Sequence, residues 1–268
     1  MQRNRYHHLG WHHGIEVFEA SFSTQTFNRH SHEGFAIGAI ADGAGGYDCR
    51  GESVILPAGS LSLLNPEEPH TGRAVADRVR YNMVYATEDA VRASLGLRRL
   101  TGFREVAPRD RDLRVTYYLQ LLADRLNAAQ GPGWRLAVEE AVHEVLARTF
   151  ACYAGVPLRR PGHEPGMIRA LRERIASGVT AGERLSLRDL AAERGFSPSY
   201  LIRSFARATG MTPHGYVVQC RIQLARDLML DNVPAAEAAL AAGFCDQAHM
   251  IRQFRRHYGV SPGVLIRH

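Results

Sequence analysis

A twelve-residue phrase occurs twice near the C-terminus: IRSFARATGMTP at Ile202–Pro213 and IRQFRRHYGVSP at Ile251–Pro262. Both obey I-R-x-F-x-R-x-x-G-x-[ST]-P, each follows a Gly-Phe pair (Gly195-Phe196 and Gly243-Phe244), and 49 positions separate the copies. A Phe to bury, Arg residues to expose and a Gly to stop the element describe a short amphipathic helix. A chain that writes this helix twice folds the segment into two copies of one unit and presents the same surface twice. Duplex DNA is a target with a matching period, since successive major-groove segments lie about 34 Å apart on one face.

The residues around each copy support that reading. Ser186 and Asp189 make an S-x-x-D capping box ahead of Leu187, Leu190 and Ala191, and Gly195 ends that helix. Ser197 then caps a second helix, Pro198 suits its first position and Gly210 stops it. Helix, Gly-containing turn, helix is the helix-turn-helix layout. Val218, Ile222, Ala225 and Met229 form the stripe of a longer connecting helix, after which Pro234 to Ala242, a turn at Gly243 and the spacing of Met250 and Phe254 repeat the unit.

Charge is placed accordingly. Residues 1–165 hold 19 Arg against 19 acids, whereas residues 166–268 hold 14 Arg against 8, so the whole formal charge of +6 lies in the C-terminal part. A localised excess of that kind is the electrostatic footprint of a phosphate partner. Four scattered cysteines without metal or disulfide spacing fit a reducing cytosol. No stretch approaches a membrane span and no signal peptide is legible, so the expected location is cytoplasmic, with no membrane partner.

The N-terminal part has another grammar. Between Ile15 and Ala86 the chain reads as short strands broken by Gly, Pro and Asn: IEVFEASFSTQTF, FAIGAIA, GGYDCR, ESVIL, SLSLL and VRYNMVYA. Such spacing predicts an antiparallel barrel or sandwich. From Asp110 the period becomes helical: Val115, Tyr118, Leu119, Leu122 and Leu126 form one stripe. Beyond Gly131-Pro132-Gly133, the residues Val138, Val142, Val145 and Thr149 form another, on a helix from about Trp134 to Tyr153. The two make an αα-hairpin, expected to dimerise because little else nearby covers the stripes; the alternative is that the stripes pack against the barrel as core and bury no partner. The Pro-rich stretch 155–166 reads as a linker. The predicted domains are therefore 1–105, the hairpin 106–154, the linker 155–166 and an all-helical 167–268.

With those residues in view, LSLRDLAAERGFSPSYLIRSFARATGMTP followed by AAGFCDQAHMIRQFRRHYGVSP resembles the two-motif DNA-binding domain of the AraC family of bacterial transcriptional regulators. Motifs, order and spacing all agree; the one departure is the alanine-rich second scaffold helix, PAAEAALAAG, which predicts weaker local packing. The N-terminal part resembles, more loosely, the cupin-type sensor domain of that family through RHSHEGF (Arg29–Phe35), the Gly43–Gly46 turn, LPAGSLSLLNP (Leu56–Pro66) and EEPH ending at His70. The resemblance implies an α+β two-domain chain: a cupin-like β-barrel with an αα-hairpin, then a tandem helix-turn-helix.

In each recognition helix the side opposite the buried Phe is the candidate groove face. With Leu201, Phe205 and Ala208 inward, Ser199, Ile202, Arg203 and Arg207 are outward or flanking; in the second copy Gln247, His249, Arg252 and Arg256 take that role. Arg203 and Arg252 lead as base readers, because guanidinium meets guanine O6 and N7 with two bonds, as Gln247 can meet adenine. The alternative is that these are ordinary solvated helix residues.

For the N-terminal domain three readings stand. His30, His32, Glu33, Tyr47 and His70 could line a small-molecule effector pocket, which is the favoured reading. They could hold a metal, but the set is incomplete: Ala36 and Ile37 occupy the window where a metal cupin places Glu, and Ser62 stands where its second motif has His, leaving His70 as a substitute from the next turn. Or they are polar residues at a barrel rim. The cluster Tyr6-His7-His8 with Trp11-His12-His13 reads as a solvated tail, or as an arm that closes over the pocket.

The expected function is sequence-specific DNA binding and transcriptional regulation controlled by a small-molecule effector, without catalysis or a cofactor. The expected partners are an operator duplex, the effector, a second copy of the chain and, since activation is favoured, RNA polymerase. The competing classes are a metal-dependent cupin enzyme fused to a DNA-binding domain and an effector-independent DNA-binding protein.

Overall fold

The computed structural model describes residues 4–265. The strands are β1 (Arg5–His8), β2 (Ile15–Phe22), β3 (Thr26–His30), β4 (Phe35–Cys49), β5 (Glu52–Pro57), β6 (Leu61–Leu64) and β7 (His70–Ala86). The helices are α1 (Glu88–Leu95), α2 (Arg114–Leu126), α3 (Trp134–Tyr153), α4 (Pro165–Thr180), α5 (Leu187–Ala192), α6 (Pro198–Thr209), α7 (Pro213–Leu230), α8 (Ala235–Ala241), α9 (Gln247–Tyr258) and α10 (Pro262–Leu265). Residue contacts divide the chain into one unit of residues 1–127 and 141–159 and a second of residues 128–140 and 160–268. The division falls inside α3, not at the linker alone, so the expected hairpin is not a separate body.

The first unit is built on a seven-stranded antiparallel sheet of order β1-β2-β7-β4-β5, with β3 also on β7 and β6 also on β4. The two long strands, β4 and β7, change partners along their length, which bends the sheet around an apolar cluster containing Phe22, Ile40, Tyr47, Leu56, Val79 and Met83. FAIGAIA and GGYDCR, read from sequence as two strands, are one strand. The stretch that joins them holds two register shifts, between Ile40 and Asp42 and between Gly43 and Gly45, which are β-bulges and not a break. Gly43 has φ +73, and a Cβ there would meet the Arg78 carbonyl oxygen at 1.7 Å, which leaves no room for another residue.

The N-terminal segment is also not a tail. Arg5–His8 forms β1 on β2, His7 pairs with Glu19 at 2.7 Å and His8 with Glu16 at 3.0 Å. His12 is only 4% exposed, with its ring centroid 5.4 Å from that of His143. Glu16 and Glu19 of β2 give these imidazoles partners, a tertiary pairing that local composition does not announce.

Helix α2 packs its stripe against β4 and β7. Leu119 and Leu122 are 1% and 0% exposed within the single chain, and Val138, Val142, Val145 and Thr149 of α3 are equally buried. The stripes are therefore core and cannot form the expected dimer surface. The side of α2 left exposed carries Tyr117, with Leu113 at its N-cap.

In the second unit, α4, α5, α6 and the first turns of α7 close over one cluster around Leu171, Ile175, Leu190, Leu201 and Phe205. The later turns of α7 with α8 and α9 close over another, around Ile222, Met229, Phe244, Met250 and Phe254. The caps expected from sequence are formed: Ser186 accepts from the Asp189 amide, Ser197 from the Tyr200 amide, and Gly210 and Gly259 end α6 and α9 in the left-handed region. The alanine-rich α8 buries Ala238 and Ala239 in the second cluster, so its small side chains serve close approach and the packing is not locally open. Phe254→Ala removes the centre of this cluster. It should lower the stability of the second unit by about 3–5 kcal/mol, measured as a fall in the denaturant midpoint at unchanged slope.

Candidate functional site

His30 ends β3 and His70 begins β7, and the two are direct register partners. Between Phe27 and His30 the β3 side of the ladder advances three positions while β7 advances two, from Gly72 to His70, so a bulge re-aims His30. Gly72 is required there, since a Cβ would lie 2.8 Å from Phe27 Cδ2. His32 follows two residues later and completes a triad of rings, with centroid separations of 4.4 Å for His30–His70, 5.0 Å for His30–His32 and 5.1 Å for His32–His70.

These rings line one cavity of about 100 Å³ in the first unit. Burial, with the His70 and His30 charges second, pushes the His32 imidazole down to about 4. Burial likewise lowers His70. Both are neutral near pH 7 and offer lone pairs instead of charge. Tyr47 also lines the cavity, but its hydroxyl donates to the Val106 carbonyl at 2.7 Å, so it serves as wall. Glu33 is exposed and not among the lining residues, which removes the one carboxylate expected there. It follows His32 directly, but it lies in the bend before β4.

The sequence reading missed the aromatic wall. Phe18, Phe22, Phe27, Tyr81 and Tyr85 line the cavity, as does Arg73, and His32 packs on Tyr85 at 4.6 Å. Burial raises the hydroxyls of Tyr81 and Tyr85, the latter to about 12, so both are neutral donors. A signal existed, since Tyr81, Met83 and Tyr85 alternate along β7 and so share a face. Tyr6 of β1 lies against Phe18 and Tyr85, which places the N-terminal strand beside this wall.

The two repeated helices differ in exposure. On α9, Gln247, Arg252 and Arg256 are exposed and His249 is half-buried against Phe244, at 5.5 Å between ring centroids. On α6, Arg207 is exposed and donates to the Pro161 carbonyl, and Ala208, expected inside, is outside. Ser199 and Ile202, expected outside, are each 1% exposed, and Arg203 is half-buried with its Nε donating to the Ser199 carbonyl. Ile202 belongs to a cluster that includes Leu136 of α3. Neighbouring residues of α3 tie the same segment down: Glu139 accepts from the Leu187 amide and the Ser186 hydroxyl, and Glu140 from the His214 amide at the start of α7. The helical wheel placed Leu201 and Phe205 inside correctly and Ala208 wrongly, and it could not show that Ile202 joins a cluster with Leu136, 66 positions upstream.

A bent antiparallel sheet enclosing a small lined cavity, joined to paired helix-turn-helix motifs on a basic domain, defines a ligand-responsive, DNA-binding transcriptional regulator. Residues 12–146 match the family described as AraC-like ligand binding domain, and residues 190–268 match a helix-turn-helix domain family. The chain belongs to the AraC family of transcriptional regulators. It is 29% identical over 247 residues to the uncharacterized HTH-type transcriptional regulator YbfI of Bacillus subtilis, covering 88% of this chain and 86% of that one. It is 23% identical over 257 residues to the HTH-type transcriptional activator RhaS of Yersinia pestis, covering 92% and 91%. Among solved structures, ToxT from Vibrio cholerae aligns over 94% of this chain and 98% of its own, at 12% identity and a TM-score of 0.36. No helix among the described residues is long and apolar enough to cross a membrane.

Proposed function

We propose that the chain is a cytoplasmic regulator whose cavity binds a small effector, and whose first recognition helix is covered until that effector binds. The observation that carries this is the asymmetry between two copies of one motif: of the candidate reading residues, Gln247, Arg252 and Arg256 are exposed on α9, whereas on α6 Ser199 and Ile202 are buried, Arg203 is half-buried and Arg207 alone is exposed. The cover is residues 128–140, held through Leu136, Glu139 and Glu140. Because α3 contributes its first turns to one unit and the rest to the other, it is the covalent route by which cavity occupancy biases the cover. A ligand acts only through its differential affinity for the covered and uncovered states. Uncovering gives α6 and α9 simultaneous access to successive major-groove segments, with Arg203 and Arg252 as base readers and Arg207 and Arg256 nearer the phosphates. Activation, with RNA polymerase as partner, follows the description of RhaS as an activator. A homodimer would use a surface other than the buried stripes, and the side of α2 bearing Tyr117 is exposed.

Leu136→Ala tests the cover in the full chain. Truncating a fully buried leucine costs about 2–5 kcal/mol where its surroundings stay packed. Part of that loss falls on the covered state alone. Affinity for a mapped operator should therefore rise about tenfold or more without effector, in anisotropy titrations at fixed salt. Unchanged or weaker binding by a variant that still unfolds cooperatively would show that residues 128–140 are plain core.

A further inference from the structure

The hydrogen bonds of the three imidazoles specify what they can hold. His70 Nδ1 lies 3.0 Å from the Glu68 carbonyl oxygen and His30 Nδ1 lies 2.7 Å from that of Asn28. A carbonyl oxygen only accepts, so both Nδ1 atoms carry the hydrogen and Nε2 is the atom of each ring left to offer a lone pair. Neither of those Nε2 atoms can donate to the other. Yet one ring nitrogen from each of His30, His32 and His70 lies within 4.8 Å of the other two. An imidazole whose one N–H is fixed by a carbonyl, as in buried His70 and exposed His30, set among two more imidazoles, is the outer-shell arrangement of a metal-binding histidine.

We propose that His30, His32 and His70 form a three-imidazole site for Zn²⁺ or another divalent late first-row ion. Its remaining coordination position opens to the cavity and takes a carboxylate oxygen of a small, partly aromatic or aliphatic effector. Neutral imidazole ligands suit these ions, and three of them leave a fourth, exchangeable position. The donor set is this chain's own: Ala36, Ile37 and Ser62 stand where a metal cupin places the remaining donors, and His70 enters instead as the register partner of His30. No Asp or Glu lines the cavity among the described residues, so the ion's two charges are left for the incoming ligand to offset. Phe18, Tyr81 and Tyr85 supply the wall for that ligand's apolar body. The second part rests on the reading of the cavity as the effector site; the first does not.

The test uses the full chain, stripped with a chelator and titrated with Co²⁺ alone, then with Zn²⁺ in competition. The expected result is about one equivalent per chain, with the intense visible bands of four- or five-coordinate Co²⁺ that Zn²⁺ abolishes. His32→Ala and His30→Ala, at half-buried and exposed positions that leave the fold intact, should each weaken binding about 10- to 100-fold or more. The triple variant His7→Ala/His8→Ala/His13→Ala should bind as the parent does. Either of two results overturns the site: no stoichiometric binding by the parent, or His30→Ala and His32→Ala variants that bind as tightly as it does. Loss of binding in the triple variant would also overturn it by moving the metal to the N-terminal strand. Stoichiometric binding through the three histidines supports the site; if operator affinity is then the same with and without metal, the ion's part in effector control is overturned.

Discussion

Leu119→Glu combined with Leu122→Glu should abolish cooperative unfolding of the first unit, not convert a dimer into folded monomers. Both leucines are essentially inaccessible within one chain, on the face of α2 that packs against β4 and β7. A carboxylate placed there either ionises without a partner or remains protonated with unsatisfied oxygens, and it also loses the transfer energy of a buried leucine. Single substitutions of this type cost about 4–5 kcal/mol or more, against a total stability of about 5–15 kcal/mol for a domain, so two exceed what the unit can absorb. Circular dichroism and size-exclusion with light scattering decide the matter. A monomer with the parent's spectrum and a sharp melting transition would restore the stripe as an interface. Tyr117→Glu, two positions from Leu119 on the exposed side of the same helix, should leave the melting temperature within a few degrees of the parent's.

Without effector, Arg252→Ala should weaken specific operator binding by about 1–3 kcal/mol, whereas Arg203→Ala should change it by less than about 0.5 kcal/mol. The two arginines hold identical places in the repeated phrase, so sequence alone predicts equal losses. The structure breaks the equivalence. Arg252 lies exposed on α9, while Arg203 is half-buried on α6 beside Ser199 and Ile202, which are closed off. A bidentate contact to guanine is made only by a guanidinium that reaches the groove. With the cover weakened by Leu136→Ala, the cost of Arg203→Ala should rise toward that of Arg252→Ala, and a double-mutant cycle reads the coupling directly. Equal losses in the parent background would place both helices on the DNA without any uncovering step.

Legibility followed the range of the interaction. The caps at Ser186, Ser197 and Gly210, the helix from Trp134 to Tyr153 and the burial of Leu201, Phe205, Met250 and Phe254 are readable, since capping and helical period are set within four residues. His30, His32 and His70 were singled out by motif, but whether they met was not decidable: His30 and His70 are 40 positions apart and meet through a bulge in β3. Glu33 is next to His32 in sequence, yet it lies in a bend between β3 and β4 and stays exposed, which local sequence does not announce. Tyr81 and Tyr85 were passed over because alternation shows that residues share a face and not which face encloses the cavity.

The class of this protein follows from local signals alone. A twice-written amphipathic helix with its own caps and stops, on the segment that carries the entire net charge, specifies a tandem helix-turn-helix, because each of those signals is local or additive along the chain. Tertiary structure alone decided which surfaces are available. The stripes of α2 and α3 are core, the histidine-rich N-terminus is a strand, three imidazoles lie together, and Ser199 and Ile202 of one of two equivalent recognition helices are buried. Each outcome turns on pairing between segments tens of residues apart. Hydrophobic burial rewards such pairing for the area it removes from water, whatever the order in which the residues were written.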